Sequence, residues 1–82
     1  MSMNSHLVKA LVDMAVFLEY TNSDLLDEDA AVEAMEQLAA ELQLMAEADQ
    51  QQLAKQIVGF STSYEQPQSE LVEGLPEALG LA

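Results

Sequence analysis

The sequence predicts an all-α fold, namely a small antiparallel three-helix bundle followed by a short C-terminal helix or tail. The chain has 82 residues, of which 50% are hydrophobic. That composition suits one modest core and argues against intrinsic disorder. Apolar side chains recur at helical spacing in three separate segments. Residues typical of helix caps and turns stand between these segments, so each one is expected to form its own helix.

The first predicted helix covers residues 5–20, with Asn4 or Ser5 as its N-cap. Two apolar stripes run along it: Leu7, Leu11, Met14 and Leu18 form one, and Val8, Val12 and Val16 form the other. A helix that is apolar over so much of its circumference is expected to be buried on two sides. We expect the valine stripe to form a homodimer interface, because packing against one neighbour needs only one stripe. Alternatively, the C-terminal leucines cover it.

The second predicted helix runs from about Glu28 to Met45, after a polar turn in which Ser23 or Asp27 supplies the N-cap. Its expected core stripe consists of Val32, Met35, Leu38, Ala39, Leu42 and Met45. The opposite face carries Asp29, Glu33, Glu36, Ala40 and Leu44. No Lys or Arg occurs between Ala10 and Ala54 to balance these acids. We expect this face to bind a partner, with the charges guiding encounter and the apolar residues forming the centre.

The third predicted helix begins after Asp49 as N-cap and ends between Ser61 and Tyr64. It is expected to bury Leu53, Ile57, Phe60 and Tyr64. Pro67 prevents a simple continuation, and a short helical segment is expected over residues 77–80, after Pro76. Residues 1–64 are therefore interpreted as the helical bundle domain, and residues 65–82 as an acidic, loosely docked, partly ordered tail.

Charge narrows the classes of partner. The chain has 15 acidic residues against Lys9 and Lys55, which gives a net charge of −13. The phosphate backbone of a nucleic acid and an anionic lipid surface would both repel such a protein, so we expect it to bind neither. A protein partner with a basic surface is favoured. The alternative is that the acidity serves solubility alone.

The residue inventory argues against an enzyme, a metal site and a cofactor. His6 is the one histidine and lies near the N-terminus, and the three glycines form no phosphate-binding loop. The absence of cysteine excludes a disulfide framework and a thiolate zinc site. The acids around Asp24 lack the turn glycine and the final glutamate of a calcium loop. We therefore expect no catalytic residue and no metal ligand.

The sequence also carries no pattern of a signal peptide, since no basic cluster precedes a long apolar run. Its longest apolar stretch, Met14 to Leu18, is far below the roughly 18 residues that a membrane span requires. We therefore expect a cytoplasmic protein without a membrane segment.

Residues 17–49 read FLEYTNSDLLDEDAAVEAMEQLAAELQLMAEAD. Together with the acidic tail, this stretch resembles the small acidic all-helical immunity proteins that bacteria encode beside type VI secretion or other interbacterial toxins. The resemblance implies a bacterial protein that neutralises a cognate toxin by binding it, in some cases as a dimer. A small dimeric adaptor or regulator is the alternative, and a nucleic-acid mimic that blocks a DNA-binding protein is a third hypothesis.

Overall fold

The computed structural model describes residues 4–81 and confirms the predicted all-α class. The chain forms four α-helices and one 3₁₀ helix, and none of the described residues lies in a strand. The elements in chain order are α1 Ser5–Tyr20, α2 Glu28–Leu42, α3 Glu47–Gly59, the 3₁₀ helix Ser61–Ser63 and α4 Gln68–Ala78.

Two of the predicted N-caps are confirmed and one is wrong. The Asn4 side chain accepts a 2.9 Å hydrogen bond from the His6 backbone N–H, and Asp27 accepts one of 3.1 Å from Ala30. Helix α3, however, starts two residues before the expected cap Asp49, after Ala46, whose methyl group accepts no hydrogen bond. Asp49 instead lies in the first turn, where the helix dipole also favours an acid.

The hydrophobic core is built by α1, α3 and α4. Its buried members are Val8, Val12, Ala15, Leu53, Ile57, Val72, Leu75 and Leu79. Helix α2 contributes no buried residue. It packs the half-buried side chains of Met35, Leu38, Ala39 and Leu42 against this core, whereas Val32, which was expected in the same stripe, is 57% exposed. Helix α2 is therefore the outermost element of the bundle.

The C-terminal segment is longer and more deeply packed than the sequence suggested. Helix α4 spans Gln68–Ala78 rather than the expected turn at 77–80, with Pro67 as its N-cap residue and Pro76 inside it. A proline costs little at a helix start, whereas Pro76 removes one backbone hydrogen bond. Burial of three fully enclosed side chains, Val72, Leu75 and Leu79, offsets that loss. The core thus draws on residues from both sides of position 64, and the expected loose docking of the tail is wrong.

Helix α1 turns its valine stripe inward, which corrects the expected dimer face. Val8 and Val12 are 3% and 0% exposed, and Val16 is half-buried. In contrast, Leu7 and Met14 of the leucine stripe are 71% and 55% exposed. Helices α3 and α4 both pack against α1, and their buried apolar side chains share one core with Val8 and Val12. A dimer interface through Val8, Val12 and Val16 is therefore wrong for this fold.

Candidate protein-binding surface

The outward side of α2 presents the acids that the sequence placed there. Because a helix advances 100° per residue, the half-buried Leu38 and Leu42 turn the opposite side of α2 to solvent. Exposed residues on that side are Asp29, Glu33, Glu36 and Ala40, which together are called the acidic face here. At about 1.5 Å of rise per residue, this face extends for about 17 Å along the helix.

No lysine of residues 4–81 forms an ion pair with the acidic face. Among residues 4–81 the ion pair is Lys9 with Asp13 on α1, at 2.7 Å. Glu33 Oε1 accepts only a long hydrogen bond, of 3.5 Å, from Gln37 Nε2. Asp29 and Glu33 stand four residues apart, a like-charge spacing that costs a helix about 0.2 to 0.5 kcal/mol. The face therefore carries a local excess of negative charge that the fold itself does not use.

Leu44 is exposed as expected, but it does not lie on the helix. Helix α2 ends at Leu42 with Gln43 as its C-cap, and Leu44 follows in a turn, where its backbone N–H donates to the carbonyl of Glu41. Its side chain is 78% exposed. Leu44 thus remains an available apolar side chain at the end of α2, while Ala40 alone lies among the acids of the face.

An open cleft at the junction of α1 and α2 was missed by the sequence analysis. It has a volume of about 250 Å³ and is lined by Leu18, Glu19, Thr21, Ser23, Leu26, Glu28, Ala31 and Val32. Its apolar side chains come from both helices and the turn between them, and its two charged residues are both glutamates. Val32 of the cleft stands three residues after Asp29 and four before Glu36, a spacing that makes them neighbours on the helix surface, so the cleft adjoins the acidic face.

One signal in the sequence could have indicated this cleft. The turn between α1 and α2 is polar except for Leu25 and Leu26. In the structure Leu26 lines the cleft and Leu25 is 84% exposed beside it along the chain. Two adjacent leucines in an otherwise polar connection therefore indicate a place where apolar side chains reach the surface.

The remaining cluster of polar side chains joins α1 to the segment after the 3₁₀ helix. Lys9 Nζ lies 2.7 Å from Asp13 Oδ1 and 5.0 Å from the centroid of the Tyr64 ring, and the Tyr64 hydroxyl donates to Asp13. The hydrogen bonds from Lys9 and Tyr64 lower the pKa of Asp13, and the bond to Asp13 raises the pKa of Lys9. Burial, followed by the bond to Asp13, raises the pKa of Tyr64.

The two hydrogen bonds to Asp13 and the contact of Lys9 with the Tyr64 ring give the cluster a structural role. The same bonds favour the charged forms of Asp13 and Lys9. The cluster therefore anchors Tyr64 on α1. His6, at the start of the same helix, is exposed.

No group of three or more His, Cys, Asp or Glu side chains within residues 4–81 is placed to hold a metal ion. None of the helices described is long and apolar enough to cross a bilayer.

Comparison with protein-family models, with curated proteins and with solved structures finds no match to this chain.

Proposed function

We propose that this chain is a non-enzymatic protein-binding protein that engages a basic partner through the acidic face of α2. The observation that carries the proposal is the position of Asp29, Glu33 and Glu36. All three are exposed on the outermost helix, and no Lys or Arg lies within that helix. Helix α2 buries none of its residues fully, and its outward side does not pack against the core. That side is therefore available to a partner.

The acidic face and the neighbouring cleft supply complementary parts of a binding site. Unneutralised acids attract a basic surface over about a Debye length, which accelerates encounter and orients the partner. An apolar side chain of the partner that enters the cleft would slow dissociation. Glu19 and Glu28 line the cleft, so a basic residue beside that apolar anchor would meet an opposite charge.

Within this proposal the partner is a toxin or an enzyme whose basic working surface is covered, which makes the chain an immunity or inhibitor protein. The resemblance of residues 17–49 supports this assignment, as does the charge of −13. The second candidate, a dimeric adaptor or regulator whose acidity serves solubility, is favoured by an exposed apolar strip on α1. A toxin gene next to the gene for this chain supports the first candidate, and a secretion or transcription operon supports the second.

The test uses the product of the neighbouring gene as the binding probe and compares two matched variants. Glu33→Lys and Glu47→Lys change the net charge equally. Both glutamates also accept a 3.5 Å hydrogen bond from the glutamine four residues further along. Only Glu33 lies on the acidic face, because Glu47 is in the first turn of α3. Affinity is measured by calorimetry at low and at physiological salt.

We expect Glu33→Lys to weaken binding and to reduce its dependence on salt, with a further loss when Glu36→Lys is added. Glu47→Lys should change the affinity much less. Equal losses for Glu33→Lys and Glu47→Lys would reduce the proposal to a general charge effect. An unchanged affinity for the double variant would move the interface away from α2.

A further inference from the structure

Within residues 4–81, a second surface, on α1, is apolar and lies uncovered. Leu7, Met14 and Phe17 are 71%, 55% and 49% exposed, and Ala10 between them is also exposed. These four residues are called the outer strip of α1 here. On one side of the strip Leu18 lines the cleft with α2, and on the other side Asp13 holds Tyr64. The chain's own helices therefore flank the outer strip without covering it.

The charge around the outer strip indicates which kind of protein can dock on it. The strip itself has no charged residue, and Lys9 and Asp13 beside it neutralise each other at 2.7 Å. A basic partner gains no electrostatic attraction at the outer strip, because the acids without a paired cation lie on other surfaces. A second copy of this chain, which carries −13, is repelled by most of the surface but meets no net charge at this place. We infer that a second copy docks here, with α1 packed against α1.

The spacing of the outer strip fits helix-to-helix packing. Leu7, Ala10, Met14 and Phe17 follow one another at intervals of three, four and three residues, the spacing of the a and d positions of a coiled coil. In an antiparallel pair centred between Ala10 and Met14, each Ala10 faces Met14 of the second copy, and each Leu7 faces Phe17. A parallel pair would set Ala10 against Ala10 and leave a gap, so the antiparallel arrangement is the one that packs.

The size of the strip sets the strength of the association. A standard interface buries about 800 Å² on each partner, and smaller ones belong to weak or transient complexes. Three large side chains along one short helix lie at the small end of this range. We therefore expect a weak dimer that forms and dissociates with protein concentration rather than a permanent one.

The first experiment is sedimentation equilibrium of the full chain over a range of concentration. We expect the wild type to pass from 8.9 kDa monomer to dimer, and Met14→Glu to remain monomeric at every concentration. Val58→Glu is the matched control, since Val58 is 43% exposed and lies on α3 rather than on α1. Far-ultraviolet circular dichroism checks that both variants remain helical. A wild type that stays monomeric, or equal disruption by Val58→Glu, overturns the inference.

A second experiment tests the antiparallel pairing itself. Met14→Glu and Ala10→Lys should each weaken self-association, because each sets a charge against an apolar side chain. An equimolar mixture should recover a mixed dimer, in which the new glutamate of one copy faces the new lysine of the other. Failure of the mixture to associate overturns the antiparallel pairing. Since neither residue belongs to the acidic face, these results are independent of partner binding through α2.

Discussion

The side-chain amide of Gln50 donates a hydrogen bond of 2.9 Å to the backbone carbonyl of Met45. The same nitrogen also donates to the carbonyl of Gln43, at 3.0 Å. Both carbonyls belong to the turn that ends α2, where backbone acceptors have no partner within the helix. Gln50 is only 8% exposed, so this amide satisfies the turn from inside the fold and ties α2 to α3.

Gln50→Ala should therefore destabilise the protein by about 1 to 3 kcal/mol, the cost of leaving part-buried backbone acceptors without their donor. Urea unfolding followed by circular dichroism measures the change. Gln51→Ala is the matched control, because Gln51 is exposed and makes only a 3.5 Å bond to Glu47. Similar midpoints for the two alanine variants would show that the amide of Gln50 contributes little.

The end of α4 gives a second prediction. Gly80 has a φ of 69°, the Leu81 N–H donates to the Pro76 carbonyl and the Gly80 N–H donates to the Glu77 carbonyl, which together form a Schellman cap. A Cβ at position 80 would lie 2.6 Å from the Nε2 of Gln43, whose amide donates to the Leu79 carbonyl. The conformation thus requires the glycine, and an added Cβ would also displace the flexible end of the Gln43 side chain.

Gly80→Ala should lower the free energy of unfolding by about 1 kcal/mol or more, since a left-handed conformation disfavours any Cβ. Gly74→Ala should do the opposite and stabilise by about 0.5 to 1 kcal/mol, because Gly74 lies within α4 with nothing near its added Cβ. Thermal denaturation of the two variants checks the opposite signs. A stabilising Gly80→Ala would contradict the assigned cap.

The burial of α4 predicts that Leu75 is as important to stability as Ile57. Both are 0% exposed, so truncation to alanine should cost about 2 to 5 kcal/mol at either position. Leu25→Ala, at a side chain that is 84% exposed, serves as the control and should be nearly neutral. Chemical denaturation provides the comparison. A loss at Leu75 much smaller than that at Ile57 would mean that α4 docks only loosely.

Short-range patterns in the sequence correctly predicted several helix ends and the exposed side of α2. Asn4 and Asp27 identify two helix starts, since a short polar side chain can satisfy the first free N–H groups. Tyr20 was likewise predicted as the last residue of α1, because cap and turn residues follow it. The exposure of the α2 acids was predicted too, because they lie on the side of the helix opposite its apolar stripe.

The remaining features depend on contacts between elements, which no local pattern specifies. Helix α1 has two apolar stripes, and which of them turns inward depends on its packing with α3 and α4, whose Ile57 and Leu75 share the core with the valines. The length of α4 was underestimated because Pro67 and Pro76 were interpreted as interruptions, although burial outweighs their cost. The cleft requires the relative placement of α1 and α2, so its residues could not be grouped in advance.

The Lys9 and Asp13 pair predicts a stability change in acid. The pKa of Asp13 is lowered from 3.8 in the folded state, so the pair's contribution is present above that pH and is lost as the pH falls through the folded value. The stability difference between wild type and Asp13→Asn should therefore be constant near neutral pH and shrink below pH 3.8. Lys9→Gln should return the carboxyl pKa toward its ordinary value in an NMR titration. An unchanged titration would exclude Lys9 as the principal cause.

The repulsion within α2 predicts that Glu33→Lys stabilises the protein. Glu33 stands four residues after Asp29 and three before Glu36, so a lysine there replaces two like-charge contacts with two attractive ones. At about 0.2 to 0.5 kcal/mol for each repulsion removed or attraction gained, the total gain is about 1 kcal/mol. Glu47→Lys is the control, because it changes the net charge of the protein by the same amount. It places a cation in the first turn of α3, where the helix dipole disfavours positive charge. We therefore expect Glu33→Lys to unfold at higher urea than Glu47→Lys at low salt, and the gap to narrow as salt screens both effects. Equal midpoints at low salt would show that the acids of α2 do not repel one another.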